Sequence, residues 1–246
     1  MVDDAAASGI HYEPAPWYQS AFSDTMISLE AGASYADADT HETVLFPLTL
    51  ATVQRGPLQF AGRWGYVAMR GDTQHRADFG DLKIYGRYRI PVFSDSTDVE
   101  RPNLWIESSA RIQISKPELF PFATGGQELE LSGVLGWPRL AHSTLGVGRI
   151  WSEPPGGSEL QWFDVPHSTH VWLQSRAMLQ RFDFQLRGDL FIFEVKDTSR
   201  SIITGSVTRR SVQGFHVTLE FAIETSAAEE RVFNELLSLR FATRLR

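Results

Sequence analysis

The stretch Leu104-Trp105-Ile106-Glu107-Ser108-Ser109-Ala110-Arg111-Ile112-Gln113-Ile114 decides the fold. Leu104, Ile106, Ser108, Ala110, Ile112 and Ile114 alternate with Trp105, Glu107, Ser109, Arg111 and Gln113. Successive side chains of a strand point to opposite faces, so the segment predicts a strand with one dry and one ionic face. Six more segments repeat the pattern, at residues 27–35, 81–90, 128–137, 171–180, 215–224 and 237–246. Across the seven, the apolar faces carry no charge. The opposite faces carry Glu30, Asp81, Lys83, Arg87, Arg89, Glu107, Arg111, Glu128, Glu130, Arg176, Glu220, Glu224, Arg240, Arg244 and Arg246.

Less regular strands are expected at 44–54, 58–70, 143–151, 182–196 and 201–209, which brings the total to about twelve. Pro47 interrupts one of them, because proline cannot donate to a ladder. Arg149 fits neither face of another. A helical period occurs only at 227–236 and runs directly into a strand pattern. The connections alternate in length. Tight turns at 54–57, 179–182 and 209–214 lie between longer polar links at 36–42, 71–79, 116–126, 152–170, 196–200 and 225–233. Only 92–102 breaks that rhythm. Short turns alternating with long loops are the layout of an outer-membrane barrel.

Composition narrows the choice. The chain of 246 residues is 42% hydrophobic and 12% aromatic, which fits one large folded domain rather than a disordered chain. Mean hydropathy is -0.20, and no run of about 18 apolar residues exists to form a membrane helix. Without cysteine there is no disulfide and no thiolate metal site. A net charge of -7 argues against nucleic acid as a partner. Met1-Val2-Asp3-Asp4 has no signal-peptide character. Residues 1–22 are Ala/Ser/Pro-rich and read as an N-terminal periplasmic arm ahead of a barrel at 23–246.

Alternation alone does not say which face points inward. A soluble barrel packs its dry face inside, and a membrane barrel turns it to lipid. Three features favour lipid. The strands run near the roughly 9–11 residues that cross a bilayer at a tilt. The ionic face is rich in Arg and carboxylate and includes Tyr85, Trp105 and Trp172, while Lys occurs only at 83, 116 and 196. The guanidinium fork pairs bidentately with carboxylates, which suits an enclosed lumen better than a soluble surface. Tyr35, Tyr66, Tyr88 and Trp137 close the dry faces near strand ends, as an interfacial girdle would. The fold expected is all-β: a transmembrane, antiparallel, up-and-down barrel of about twelve strands.

Gly80-Asp81-Leu82-Lys83-Ile84-Tyr85-Gly86-Arg87-Tyr88-Arg89 resembles a strand motif of bacterial outer-membrane transporters of the phenol-degradation-pathway type. The turn Arg55-Gly56-Pro57-Leu58 followed by Gln59-Phe60, and the closing strand from Leu237 to Leu245, resemble theirs too. The resemblance covers most of residues 24–246 as a pattern. It implies a monomeric barrel in the outer membrane of a Gram-negative bacterium, with lipid around it and small solutes as its other partner. Such barrels usually end on an aromatic residue, whereas this chain ends Leu245-Arg246.

The lumen in this reading is lined by Glu30, Arg63, Lys83, Arg87, Arg89, Glu107, Arg111, Glu128, Glu130, Arg176, Arg187, Asp189, Glu220, Arg240 and Arg244. Arg87, Arg89, Arg111, Arg240 and Arg244 are expected to form a positive wall facing an acidic patch of Glu107, Glu128 and Glu130. Such charges select solutes, or else they pair across strands and plug the barrel. His167 and His170, with Asp164 nearby, are weak metal ligands because no third is fixed by spacing. His142-Ser143 raises an outer-membrane enzyme acting on lipid, but the Gly-x-Ser-x-Gly elbow is absent. The 152–170 link, with Trp162 and Phe163, could fold over the mouth. No cofactor, metal or catalytic group is expected. The other alternative is a soluble barrel binding an apolar ligand, whose ionic strand faces would meet solvent.

Overall fold

The computed structural model describes residues 27–39, 41–52, 57–71, 75–90, 102–114, 127–137, 142–152, 167–193, 198–211, 214–225 and 233–244. The segment read as an N-terminal arm (1–22), residues 92–101 of the 92–102 link, Asp164 and the aromatics of the 152–170 link, and the C-terminal Leu245-Arg246 lie outside these. Most of the helix-like 227–236 does too, but its last residues open the final strand.

Thirteen strand segments form one antiparallel sheet: β1 (Ile27–Asp37), β2 (His41–Thr52), β3 (Leu58–Gly71), β4 (His75–Phe79), β5 (Leu82–Arg89), β6 (Asn103–Ile112), β7 (Glu128–Trp137), β8 (Ser143–Ser152), β9 (His167–Leu179), β10 (Phe182–Phe193), β11 (Thr198–Arg210), β12 (Phe215–Glu224) and β13 (Glu235–Arg244). Each pairs with its neighbours in order. The sheet closes where β1 pairs β13 from Ser28↔Arg244 to Asp37↔Glu235. β4 and β5 share one place beside β3, so the closed barrel has twelve strand positions.

The split between β4 and β5 is a bulge. β3 advances three residues from Arg63 to Tyr66 while its partner runs four, from Lys83 to Phe79. The extra residue leaves Gly80 and Asp81 both buried. The Gly80 N–H donates to the Gly65 carbonyl at 2.8 Å, and the Trp64 indole N–H donates to the Gly80 carbonyl at 3.0 Å. Pro47 leaves a smaller mark. The β1–β2 pairing skips Gly32 and Ala33, opposite Pro47 and Phe46, while β2–β3 pairing runs through Pro47↔Gly65. A missing N–H on one side of β2 is the cause.

Several links are shorter than the sequence suggests. β1 and β2 extend to Asp37 and from His41, and half of the 71–79 link is β4. β9 begins at His167, so the end of the 152–170 link is strand. Turns join the barrel at one end, for example β9 to β10 through Gln180, whose φ is 52°. That end is called the turn end below, and the opposite one the loop end.

The polarity is inverted relative to a soluble barrel. Phe46, Leu131, Leu173, Leu186 and Leu219 are each at least half exposed. Glu30, Arg111, Glu128 and Asp183 keep no more than 3%. Buried ionic faces and bare apolar ones overturn the soluble-barrel alternative, because so large an apolar surface needs lipid. Exposed Tyr35 and Tyr66 lie in the loop-end halves of β1 and β3, and exposed Tyr88 at the turn end of β5. Trp137 is half-buried at the turn end of β7. Trp64 stacks on Phe79 at 4.7 Å in the same outer band. Arg149, which fitted neither face, is exposed on the outer one, paired in register with Leu131 and Thr169.

Candidate functional site: a charged barrel interior

The register gathers charges that are far apart in the chain. Glu30 of β1 lies opposite Thr49 of β2, Thr49 opposite Arg63 of β3, and Arg63 opposite Lys83 of β5. Lys83 lies opposite Arg111 of β6, and Arg111 opposite Glu128 of β7. Residues paired in register share a face, so these six make one inward row across half the barrel. All six are buried.

Ion pairs tie the row together. Arg63 reaches Glu30 at 3.9 Å while its Nε donates to Thr49 Oγ1 at 2.9 Å. Arg240 of β13 approaches the same Glu30 at 4.0 Å and donates to Glu220 of β12 at 2.6 Å. At the row's other end Arg111 pairs with Glu128 at 3.2 Å and Asp81 at 4.0 Å, and Lys83 reaches Glu128 at 3.9 Å.

A second network runs from β7 to β10. His170 of β9 contacts Glu130 through Nδ1 and Asp189 through Nε2, both at 2.9 Å. Arg187 holds Asp189 with Nε and Nη2, and its guanidinium lies 4.3 Å from the Trp172 ring centroid. Glu130, whose own register partner on β8 is Ile150, reaches His170 diagonally across β8, where the neighbouring inward residues are Gly148 and Gly146. A Cβ on Gly148 would collide with Ser132, and one on Gly146 would enter the Trp172 ring. The two glycines are the space through which β7 and β9 touch. Toward the turn end, Asp183 accepts from Arg176 and Arg210, each at 2.6 Å, and Arg87 pairs with Glu107 at 3.8 Å. Arg87 also bonds Gln59.

The inward aromatics belong to this chemistry. Arg87 lies 5.4 Å from the Trp105 ring centroid and Lys83 5.5 Å from that of Tyr85. A cation over a ring face gains about 0.5–2 kcal/mol, more when water is excluded. The interior also holds an apolar cluster that alternation does not predict. Ala36, Leu45, Val67, Ile150, Phe191, Ile202, Ala222, Phe233 and Leu236 pack together, with Met69 and Phe193 against them. The strand members share the inward frame and lie near the loop ends of their strands.

The expected lining residues fall as follows. Glu30, Arg63, Lys83, Glu107, Arg111, Glu128, Arg187, Asp189, Glu220 and Arg240 are buried inside, and Arg87, Glu130 and Arg176 are partly buried there. Arg89 is exposed at the turn end, where it donates to Asn103 at 2.6 Å. Arg244 faces Ser28 in register, and its side chain lies outside the described residues. The separate positive wall and acidic patch do not form. Arg87 and Arg111 pair with Glu107 and Glu128, their supposed opponents, because β5, β6 and β7 are adjacent.

The histidine pair dissolves for a similar reason. His167 and His170 are strand residues an odd number of positions apart, so they face opposite sides, and His170 is engaged with carboxylates. His142 is exposed at a turn with φ 46°, and the Ser143 hydroxyl lies 3.0 Å from that of Ser175. The interior also holds Asp183 and His170, and the paired Asp81, Arg200 and Glu224, none of them in the expected lining. Strict alternation through Phe182-Asp183-Phe184-Gln185-Leu186-Arg187-Gly188-Asp189 would have found the first. His170 was lost by starting its strand at Val171.

No family model matches the chain, and no curated protein matches it in sequence. Its fold is found among solved structures. An outer-membrane channel from Pseudomonas putida F1 is similar at 11% identity over 89% of this chain and 96% of that one, with a TM-score of 0.62. The NanC porin is similar at 10% identity over 89% of this chain and 99% of its own, with a TM-score of 0.53. The likeness at these identities is one of fold: this chain is built as an outer-membrane β-barrel.

Proposed function

We propose that the protein is an outer-membrane channel of a Gram-negative bacterium that passes or binds small solutes through its charged lumen. The inward charge row from Glu30 to Glu128 carries this reading. Buried ion pairs add little to stability, and well-packed apolar residues would fill a barrel at lower desolvation cost. Charges around an enclosed passage are what solute selection uses. The pairs described above also run along the wall, none spanning more than two strand positions, so they line a passage rather than brace it across. With the inward charges buried, that passage is a constricted one, and a solute crosses it by exchanging contacts with the wall.

The mechanism is diffusion past fixed charges, without a catalytic step, cofactor or metal. Two solved barrels that share this fold are a channel and a porin, which supports a non-enzymatic role. The partners in this reading are outer-membrane lipid and a small solute, and the working unit is the monomer. The phenol-degradation-pathway type is the finer reading, supported by the Gly80–Arg89 segment.

The test is reconstitution of refolded protein in liposomes and planar bilayers. Folding is verified by the altered gel migration of unheated barrels. Solute flux above empty liposomes is expected, and replacing Arg63 and Arg240 by Gln should move the reversal potential in a KCl gradient toward cation selectivity. A folded barrel with neither flux nor a shifted potential refutes the proposal.

A further inference from the structure

The apolar cluster at the loop end calls for its own explanation. Its strand members come from eight of the twelve strand positions: β1, β2, β3, β8, β10, β11, β12 and β13. Each lies within four residues of the loop end of its strand and on the inward frame, which on β1, β3, β10, β11, β12 and β13 also carries charge. On β12, for example, the inward frame reads His216, Thr218, Glu220, Ala222, Glu224. On β3 it passes from Arg63 through Gly65 to Val67. The remaining four positions are polar at this level: β5–β7 carry the mutually paired Arg111, Glu128 and Asp81, and β9 carries Ser168 and His170, the latter held by Glu130 and Asp189. Val67, Ala222 and Phe233 have no water-accessible surface.

Lipid does not explain these side chains, because they face away from it. Packing alone does not require them either. The same barrel fills the adjacent layer with paired charges. What an apolar collar does that a charged layer cannot is repel water. A hydrated ion passing along its apolar arc must shed water for few polar contacts in return, and a narrow apolar constriction empties of water altogether.

We infer that the collar of Leu45, Val67, Phe191, Ile202 and Leu236 is a hydrophobic gate that holds the lumen closed to hydrated ions. The inference rests on the channel reading and assigns the resting barrier to the apolar collar rather than to the charged row, whose Arg111–Glu128 end completes the same ring. The charged row then sets which ions pass once the collar is wetted.

The experiment compares ion conductance of the full barrel in planar bilayers, with each variant shown to be folded and inserted by gel migration. The wild type should conduct poorly. The polar set Leu45→Asn/Val67→Thr/Ile202→Thr should raise conductance at least tenfold. The apolar set Leu45→Ala/Val67→Ala/Ile202→Val removes volume without adding a polar atom and should raise it less than threefold. Should the polar set not fold, the single variants Val67→Thr and Ile202→Thr decide, each expected to raise conductance at least twofold.

Equal gains in the polar and apolar sets would make the collar a steric plug and overturn the inference. So would a freely conducting wild type, or folded polar variants that conduct no better than it. The two readings fail separately. If replacing Arg63 and Arg240 shifts the reversal potential while collar variants change nothing, the gate falls and the channel stands. If collar variants open a conductance whose selectivity ignores Arg63 and Arg240, the gate stands and the charged row loses its role.

Discussion

Gly146 of β8 is the position where the interior has least tolerance. It faces inward opposite Trp172 of β9. A Cβ placed there would lie 2.5 Å from Trp172 Cζ2 and closer still to Nε1 and Cε2. Ordinary carbon contacts begin near about 3.5 Å, so the ring would have to retreat by about 1 Å. The ring is hemmed in: it packs in a buried cluster with Ala61, Tyr85, Val134 and Ala242, and the Arg187 guanidinium, held by two nitrogens on Asp189, lies 4.3 Å from its centroid. Gly146→Ala therefore costs about 1–3 kcal/mol for overpacking, plus about 0.5–2 kcal/mol as the cation–ring contact is lost. The sum is about 1.5–5 kcal/mol.

Equilibrium unfolding in urea from lipid vesicles, followed by tryptophan fluorescence, measures this loss. Trp172→Leu should be destabilising alone, because it empties the site, yet should cancel most of the effect of Gly146→Ala. In a double-mutant cycle the coupling energy should exceed about 1 kcal/mol. Far-UV circular dichroism supplies an independent signal for the variants lacking Trp172. A Gly146→Ala barrel within about 0.5 kcal/mol of wild type, or one whose loss is the same with and without the indole, would refute the packing argument.

Other consequences can be checked in the same assay. Arg240→Met leaves Glu30 and Glu220 buried without their shared cation and should cost about 3–5 kcal/mol. Trp64→Phe removes the donor to the Gly80 carbonyl at the bulge and should cost about 1–3 kcal/mol, where an unimportant bond would leave the midpoint unchanged. Val147→Arg, at mid-strand on the outer face of β8, should cost about 2–4 kcal/mol, whereas Arg149→Leu should change stability by about 1 kcal/mol or less. Equal effects at the two positions would mean that the bilayer edge is not where the strand ends place it.

Two-residue alternation was enough to read the strands, because it is a property of a single segment; the direction of the dry face took strand length, the Arg-rich ionic face and the aromatic strand ends as well. Segments such as 104–114 state their own periodicity. Arg149 looked ambiguous only because a charge on the lipid side breaks the simple rule, and its place near the loop end of β8 resolves it. Pairing was not legible. Arg87 and Glu107 were assigned to opposing walls, yet they are register partners on neighbouring strands. The collar was invisible for the opposite reason. Ala36, Leu45 and Val67 are ordinary strand residues, and a local reading cannot separate an apolar side chain facing lipid from one facing the axis near a strand end.

The contacts that skip a strand show what the small residues of the ionic faces are for. Glu30 meets Arg63 over Thr49, and Glu130 meets His170 on a diagonal over Gly148 of β8. A long side chain on the intervening strand would occupy the space through which each pair closes. Lys83 meets Glu128 over Arg111, where the intervening residue is large but is itself a partner of Glu128. Two conditions therefore permit a bridge across three strands: a short residue in the middle, or one that joins the network. Small residues read in the sequence as neutral gaps in a charged face are the positions that let charges meet, and enlarging Gly148 should break the Glu130–His170 contact without touching either residue.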